Sequence, residues 1–435
     1  MRSIESFAIP DGMFDRPRPI YLRTKPEVPD FSNHSPCKIF LQDGRNELIL
    51  DLDRDNISSV LGLLDFFVFN KDQTTALLTW NLKSLLSYCR HYIKRPISIT
   101  TPITEIQVIE NFLGTKLPAP KNILEAIERI KKIGENKSWN KVYKQIHLPL
   151  ITEVLPALET FPLLNIQERC SQYGYYEIEG QKNGRLLSSS KFHNGYLPHT
   201  LAEADKAALK PRGFNLKFIV TDIRHCEVSV LQWLSNDLEL KAVTDGDEDF
   251  YRQIYRIITQ DDCNTENKRN MAKRIFLPVM YGAGAAALGK ALKIQESVTK
   301  ELIRRIHKKF PVSCQWLLKN QEIAANEGKL EDYFGRPRVF SEKPYTARNF
   351  LVQSVAATVC LEKLIELHKA LQKLPANLCF SIHDGYGLVA HKDYCQETSS
   401  IITSVLESPS HLCKGLSLKT EVKIGDTLDN MSVMC

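Results

Sequence analysis

No two of the eleven cysteines form a CxxC pair, and Cys37, Cys89, Cys170, Cys226, Cys263, Cys314, Cys360, Cys379, Cys395, Cys413 and Cys435 follow no regular spacing. That excludes a zinc ribbon and a disulfide framework, and it fits reduced thiols in a cytosol-like compartment. There is no run of 18 apolar residues, so a hydrophobic membrane span is not expected. The opening MRSIESFAIPDGMFDRPRP has acids and prolines where a secretory leader needs an apolar core. The expected location is the cytoplasm, or an organelle, with no membrane partner. An internal repeat is also missing. Charge of one sign is scarce: 57 Lys and Arg face 51 Asp and Glu, a formal +6 that permits a polyanionic partner without requiring one. What remains is ordinary. With 43% hydrophobic and 25% charged residues over 435 positions, the chain can fill two or three cores and is neither disordered nor collagenous.

Along the chain, residues 1–37 are rich in Pro, Asp and Ser without periodicity and read as an extended arm. From Lys38 the segments KIFLQDG and NELILDLD read as strands, ISSVLGLLDFFVF as a helix, TALLTW as a strand and NLKSLLSYCRHYI as a helix. This alternation predicts a small α/β unit over 38–116. Residues 117–183 read as a helical connector; ILEAIERIKKI is one helix, and VYKQIHLPLITEVLPALETF is expected to kink or split at Pro149 and Pro156. LKFIVTD is a strand that ends in Asp222, helices run from Glu227 to about Leu371 with a break at EDYFGRPRVF, and strand signals return at LCFSIHD, GYGLVAH and LKTEVKIG.

Charge is sorted along the chain rather than spread. Residues 221–262 hold ten acidic and four basic side chains, and residues 268–340 hold fifteen basic and six acidic ones. Cations at the first stretch and phosphates at the second would explain it; so would helix faces that differ in sign by chance.

Three segments carry chemistry in combination. In FIVTDIRHCEVSV, Asp222 stands at the exit of a buried strand, where a rigid carboxylate and the next carbonyl, that of Ile223, can hold a divalent cation, or where the Asp simply caps a helix. In KRNMAKRIFLPVMYG, Arg269, Lys273 and Tyr281 share a helical face that would suit a triphosphate, although a solvated basic face with Tyr281 in the core has the same pattern. In LCFSIHDGYGLVA, Asp384 sits at the apex of a predicted hairpin, where the turn alone would also account for Asp-Gly. Two carboxylates on neighbouring strand ends, opposite a cationic helix, are the parts of a two-metal phosphoryl transfer.

In order, these segments resemble motifs A, B and C of the family A DNA polymerases, the group of bacterial DNA polymerase I. Asp222, Glu227 and Leu234-Ser235-Asn236-Asp237 match motif A; Arg269, Lys273, Tyr281 and Gly282 match motif B; His383 and Asp384 match motif C. NGRLLSSS, GDEDFYR, LEDYFGRPRVF, NFLVQSVAA and LKTEVKIGDTLDNM are similar to further family segments, so the likeness runs from about Gly184 to the C-terminus.

The resemblance implies an α+β fold with right-hand polymerase architecture. It has an antiparallel-sheet palm of three or four strands (184–245 and 346–435), helical fingers (246–345) and an N-terminal α/β exonuclease-like domain. It implies a template-directed DNA polymerase in which Asp222, Ile223 and Asp384 hold two Mg2+ ions, with Mn2+ as a substitute. Arg269, Lys273 and Tyr251 would meet the triphosphate, Tyr281 would stack near the templating base, and Glu227 would crowd the ribose 2′-hydroxyl. Arg185, Arg336, Arg338, Asn349, Gln353 and His383 would face the DNA primer-template.

Departures refine this reading. Gly385 stands where DNA polymerases of the family usually have Glu, Leu277 at an aromatic position, Tyr251 at a phosphate-contacting His, and Pro278 should interrupt the fingers helix. Arg274 after Lys273, together with Gly385, resembles the single-subunit RNA polymerases, which keeps an RNA polymerase or primase-like enzyme, or a polymerase relic that binds nucleic acid, as alternatives. Leu85 occupies a catalytic exonuclease Asp position, so proofreading is expected to be absent. Residues 161–183 are too few for a thumb's long helical pair at 1.5 Å per residue. Weak DNA grip is therefore expected unless a processivity or replication partner protein supplies it.

Overall fold

The computed structural model describes residues 20–25, 37–42, 47–52, 77–93, 103–115, 117–133, 137–160, 176–178, 180–188, 206–207, 209–211, 213–340 and 342–434. They form an α+β fold in two compact units: 1–222 with 360–406 and 421–435, and 223–359 with 407–420. The predicted helix ISSVLGLLDFFVF lies outside the described residues.

The first unit holds two five-stranded sheets. In the amino-terminal one, β1 (Ile20–Lys25), β2 (Cys37–Gln42), β3 (Glu47–Leu52), β4 (Leu77–Trp80) and β5 (Ile103–Glu105) lie in the order β3-β2-β1-β4-β5. The β1–β2 and β2–β3 pairs are antiparallel, whereas β4 runs parallel to β1 and to β5. The central strand β1 comes from the stretch expected to be an arm. Its six residues are hidden in sequence by Pro17, Pro19, Pro26 and Pro29, which punctuate like a loop. Burial decides the matter: Tyr21 and Leu22 are inside, and the Tyr21 hydroxyl donates to the Pro120 carbonyl at 3.0 Å. Against this sheet packs the helix Ile123–Ile133 through Ile123 and Ala126.

The run over 137–160 is helical throughout but changes its winding beside both prolines, passing from α to π turns and back. Two π-helical turns, Tyr143–His147 and Leu150–Val154, reroute the backbone bonds so that Leu148 donates to Tyr143 and Leu155 to Leu150. Widened turns are among the identifiable causes of a bend in a helix, and here they flank Pro149 and precede Pro156. The expectation of a shortened or missing thumb falls largely outside the described residues. Two short paired strands, β6 (Tyr176–Ile178) and β7 (Leu186–Ser188), follow.

The second sheet of this unit runs β11 (Ala376–Ile382), β12 (Gly385–His391), β8 (Leu216–Arg224), β13 (Lys419–Gly425), β14 (Met431–Val433), five strands instead of the three or four expected. The extra strand is the carboxy-terminal three-residue β14, too short to carry a periodic signal. Strand β8 does not end at Asp222; it continues to Arg224, with Phe218, Ile219, Thr221 and Ile223 buried and Asp222 and Arg224 exposed. Phe218, Cys379, Phe380 and Val389 make the core on one face. A close approach fixes Gly387, where a Cβ would lie 2.1 Å from the Phe380 ring.

The second unit is helical, with one small hairpin of β9 (Lys329–Glu331) and β10 (Pro337–Val339). Three of its helices start where a side chain satisfies free amides. Asp237 caps Leu238–Thr244, Asp249 caps Phe250–Thr259 and Thr265 caps Glu266–Met280. The helix Glu266–Met280 is not interrupted by Pro278 as expected. The proline sits in the last turn, where its missing amide costs a single bond of the ladder, and its own carbonyl accepts from the Ala283 amide at 2.8 Å.

Candidate active site

In the first unit, sheet register brings two motif carboxylates to neighbouring strand ends. Gly385, the first residue of β12, pairs directly with Asp222 on β8, and Asp384 precedes it in the two-residue turn that joins β11 to β12. His383 takes the left-handed conformation, φ 54°, that such a tight turn demands. Asp222 and His383 are exposed, Asp384 is half-buried, and Thr221 and Tyr386 beside them are buried. The hairpin is tied down: Tyr386 donates its hydroxyl to the Cys360 carbonyl at 2.7 Å, and the Ser381 amide donates to the Tyr176 hydroxyl at 3.2 Å. Gly385 leaves room beside the pair, since a Cβ there would meet the Thr221 carbonyl at 3.0 Å and Asp222 Oδ1 at 3.6 Å.

Among the described residues, no group of three or more His, Cys, Asp or Glu side chains converges as a metal site. Two carboxylates and a carbonyl still suit magnesium, which characteristically takes one or two carboxylates and fills its shell with water and substrate phosphate oxygens. Ile223, whose carbonyl follows Asp222, is buried and so fixed in place.

In the second unit, Glu227 lies in the first turn of the helix Cys226–Ser235 and is bonded at both oxygens. Tyr281 donates its hydroxyl to Oε2 at 2.6 Å, and Gln353 donates its amide to Oε1 at 3.1 Å. A cavity of about 530 Å³ opens beside them, walled also by Leu277, Pro278, Tyr345 and Asn349. Sequence assigns Tyr281 to a templating base and Gln353 to DNA; the structure binds both to the same carboxylate.

The cations of the helix Glu266–Met280 differ among themselves. Arg269 is held by Asp249 at 2.9 Å and Glu266 at 3.0 Å, above the buried ring of Tyr251 at 5.7 Å. The hydrogen bond that its guanidinium donates to Asp249 raises the Arg269 pKa above its ordinary value. For Asp249, burial is the largest influence and pushes upward, but the Arg269 side-chain bond, the Arg252 amide bond and the charges of both arginines bring it below the usual carboxylate range. Lys273 is exposed. Arg274 donates to the Ala291 carbonyl at 2.9 Å and so braces the next helix. Asp249 was missed by the sequence reading; its signal was the cap position directly before the Phe-Tyr-Arg start of a helix.

Of the residues expected at DNA, Arg336 is overturned. It is 1% exposed and paired with the buried Asp332 at 2.8 Å, so it cannot reach a polyanion. A four-residue turn returns the chain on itself there, and Asp332 accepts the Phe334 and Arg336 amides, both at 2.9 Å. Arg338 is half-buried against the Phe340 and Phe350 rings, at 5.3 and 5.4 Å. Arg185 lies half-buried just before β7, and its amide donates to Asn183 at 3.2 Å.

A sequence model of DNA polymerase family A matches residues 118–430. Relatives include the thermostable DNA polymerase I of Thermus filiformis, 27% identical over 51% of this chain and 28% of the relative. The DNA polymerase I of Helicobacter pylori is 24% identical over 72% of this chain and 42% of the relative. The chain thus spans less than half the length of these relatives. Among solved structures, the POL domain of Pol1 from M. smegmatis, in complex with DNA primer-template and dNTP, superposes with a TM-score of 0.71 at 12% identity, covering 96% of each chain.

Proposed function

Because the chain belongs to DNA polymerase family A, we propose that it is a template-directed DNA polymerase that adds deoxynucleotides to a primer 3′ end. The observation that carries this reading is the strand register that sets Asp222 opposite Gly385, one residue from Asp384. These two carboxylates and the Ile223 carbonyl would hold two Mg2+ ions, with Mn2+ as a substitute. Held by these groups, the ions would supply activation of the attacking hydroxyl and charge neutralisation for the pyrophosphate leaving group.

The rest of the work falls to the chain's own groups. Lys273 presents its ammonium to the nucleotide's phosphates, and Arg269 exchanges Asp249 for them while Tyr251 supports its guanidinium. Glu227, immobilised by Tyr281 and Gln353, fills the space that a 2′-hydroxyl would need, so deoxyribonucleotides are preferred. Asn349, at the cavity wall, and His383, exposed in its turn, face the primer-template together with Arg185 and Arg338. The primer-template and dNTP held by the solved POL domain support these partners. Lack of proofreading is supported by Leu85, an apolar side chain 1% exposed at the position of a catalytic carboxylate. The alternative of an RNA polymerase leaned partly on Arg274, whose bond to the Ala291 carbonyl gives it a bracing task instead. A partner protein would supply the grip that the short 161–183 segment leaves out. Among the described residues, no helix is long and apolar enough to cross a membrane.

Primer extension with dNTPs and NTPs in parallel tests the reading. Wild-type protein with magnesium should extend with dNTPs, and Asp384→Asn should lose at least about a hundredfold in rate with an unchanged melting profile. Full activity of Asp384→Asn would defeat the assignment.

A further inference from the structure

Arg348, in the first turn of the helix Thr346–Leu371, is a cation in an unusual setting. Its Nε is buried without a hydrogen-bond acceptor. Among the described residues, no acidic side chain offsets it. Burial pushes its guanidinium below the ordinary range, and only Cys314 acts the other way. A half-buried cation so placed costs stability unless something else favours it.

Its surroundings supply that compensation. The guanidinium lies against Gly282, where a Cβ would be 3.0 Å from Nη1 and 3.3 Å from Cζ. Gly282, at φ 93°, is the residue on which the chain leaves the helix Glu266–Met280. Here the last carbonyls gather the negative end of the helix dipole, which favours a cation. A second helix end is near: His307, in the last turn of Glu296–Lys309, has its pKa lowered first by burial and then by the charge of Arg348.

The turn has reason to need a brace. Pro278 has no amide to give to the last helical turn, and past the helix end the exit is fastened by backbone bonds from Tyr281 to Leu277, Gly282 to Val279 and Ala283 to Pro278. On this exit hangs Tyr281, whose hydroxyl holds Glu227. We propose that Arg348 is a positioning residue for sugar selection: it locks the Tyr281–Gly282 turn from behind, and so keeps the tyrosine hydroxyl on Glu227. The selective role rests on the polymerase reading above; the lock itself does not.

Two variants separate charge from bulk. Arg348→Met keeps length without charge or donors, and Arg348→Lys keeps the charge. Amide exchange of peptides spanning 277–284, read by mass spectrometry, should speed up by about tenfold in Arg348→Met and stay near wild type in Arg348→Lys. In single-nucleotide extension, Arg348→Met should lower the ratio of kcat/KM for dNTP over NTP by about tenfold, with Arg348→Lys restoring most of it. In a Tyr281→Phe background, Arg348→Met should add little further loss, because both act through one hydroxyl. Unchanged exchange, an equal loss on both sugars, or full additivity with Tyr281→Phe would overturn the proposal. If the wild type extends neither substrate, the polymerase reading falls, and the exchange arm still decides whether Arg348 holds the turn.

Discussion

Replacing Arg336 by methionine separates a nucleic-acid contact from an internal ion pair. The side chains of Arg336 and Asp332 are 1% and 0% exposed, and their contact is 2.8 Å. Taking away the arginine leaves a carboxylate that keeps the Phe334 and Arg336 amides on Oδ1 but loses the guanidinium that balances its charge. Removing one partner of such a pair costs about 3–5 kcal/mol. For a unit of this size, that lowers the melting temperature by roughly 10 °C. The double variant Asp332→Asn/Arg336→Met should recover to within about 1–2 kcal/mol of wild type, since the asparagine oxygen still accepts both amides and no charge remains. Thermal denaturation measures all three proteins, and primer-template affinity is then taken well below every midpoint, where affinity should be unchanged. A normal melting temperature for Arg336→Met together with tenfold weaker DNA binding would refute the reasoning and return Arg336 to the nucleic-acid surface.

Glu227→Ala should raise NTP incorporation by about 10- to 200-fold in kcat/KM while changing dNTP use less; an unmoved sugar ratio in single-turnover extension would remove Glu227 from selection. His225 gives a pH signature. Burial is the main cause that lowers its pKa to about 4, and its ring stacks on Phe250 at 5.2 Å. Because the unfolded chain binds a proton near pH 6.5 and the folded one does so only near 4, this residue's contribution is complete above about pH 6.5 and is lost as pH falls to 4. The loss amounts to about 3 kcal/mol. His225→Asn, which tolerates the positive φ of 41° there, should flatten that slope in urea titrations between pH 4 and 7; a slope equal to wild type would point to other groups.

Much of the site was legible because its residues keep local partners in view. The His-Asp turn between two apolar arms announces a hairpin, and pairing Gly385 with Asp222 needs only that β8 joins the same sheet. Elsewhere, long-range burial outweighed local signal. Strand β1 is masked by prolines and defined by a sheet that the sequence does not show. Pro149 and Pro156 announce an irregularity in the helix, but not that it takes the form of two widened turns. Arg336 has the composition of a DNA contact, and only the fold of its hairpin shows that the guanidinium points into Asp332. The bonds of Glu227 to Tyr281 and Gln353 span 54 and 126 residues, beyond any periodicity.

The ion pairs of Arg269 have a consequence of their own. Because Asp249 and Glu266 already neutralise this guanidinium, its corner of the helix does not behave as an open trap for anions. Occupancy there is a substitution, carboxylate out and phosphate in, so a visitor must bring enough negative charge to evict the incumbents. Chloride or a lone phosphomonoester competes poorly under that rule, whereas a polyphosphate tail that engages Lys273 as well gains on both sides of the trade.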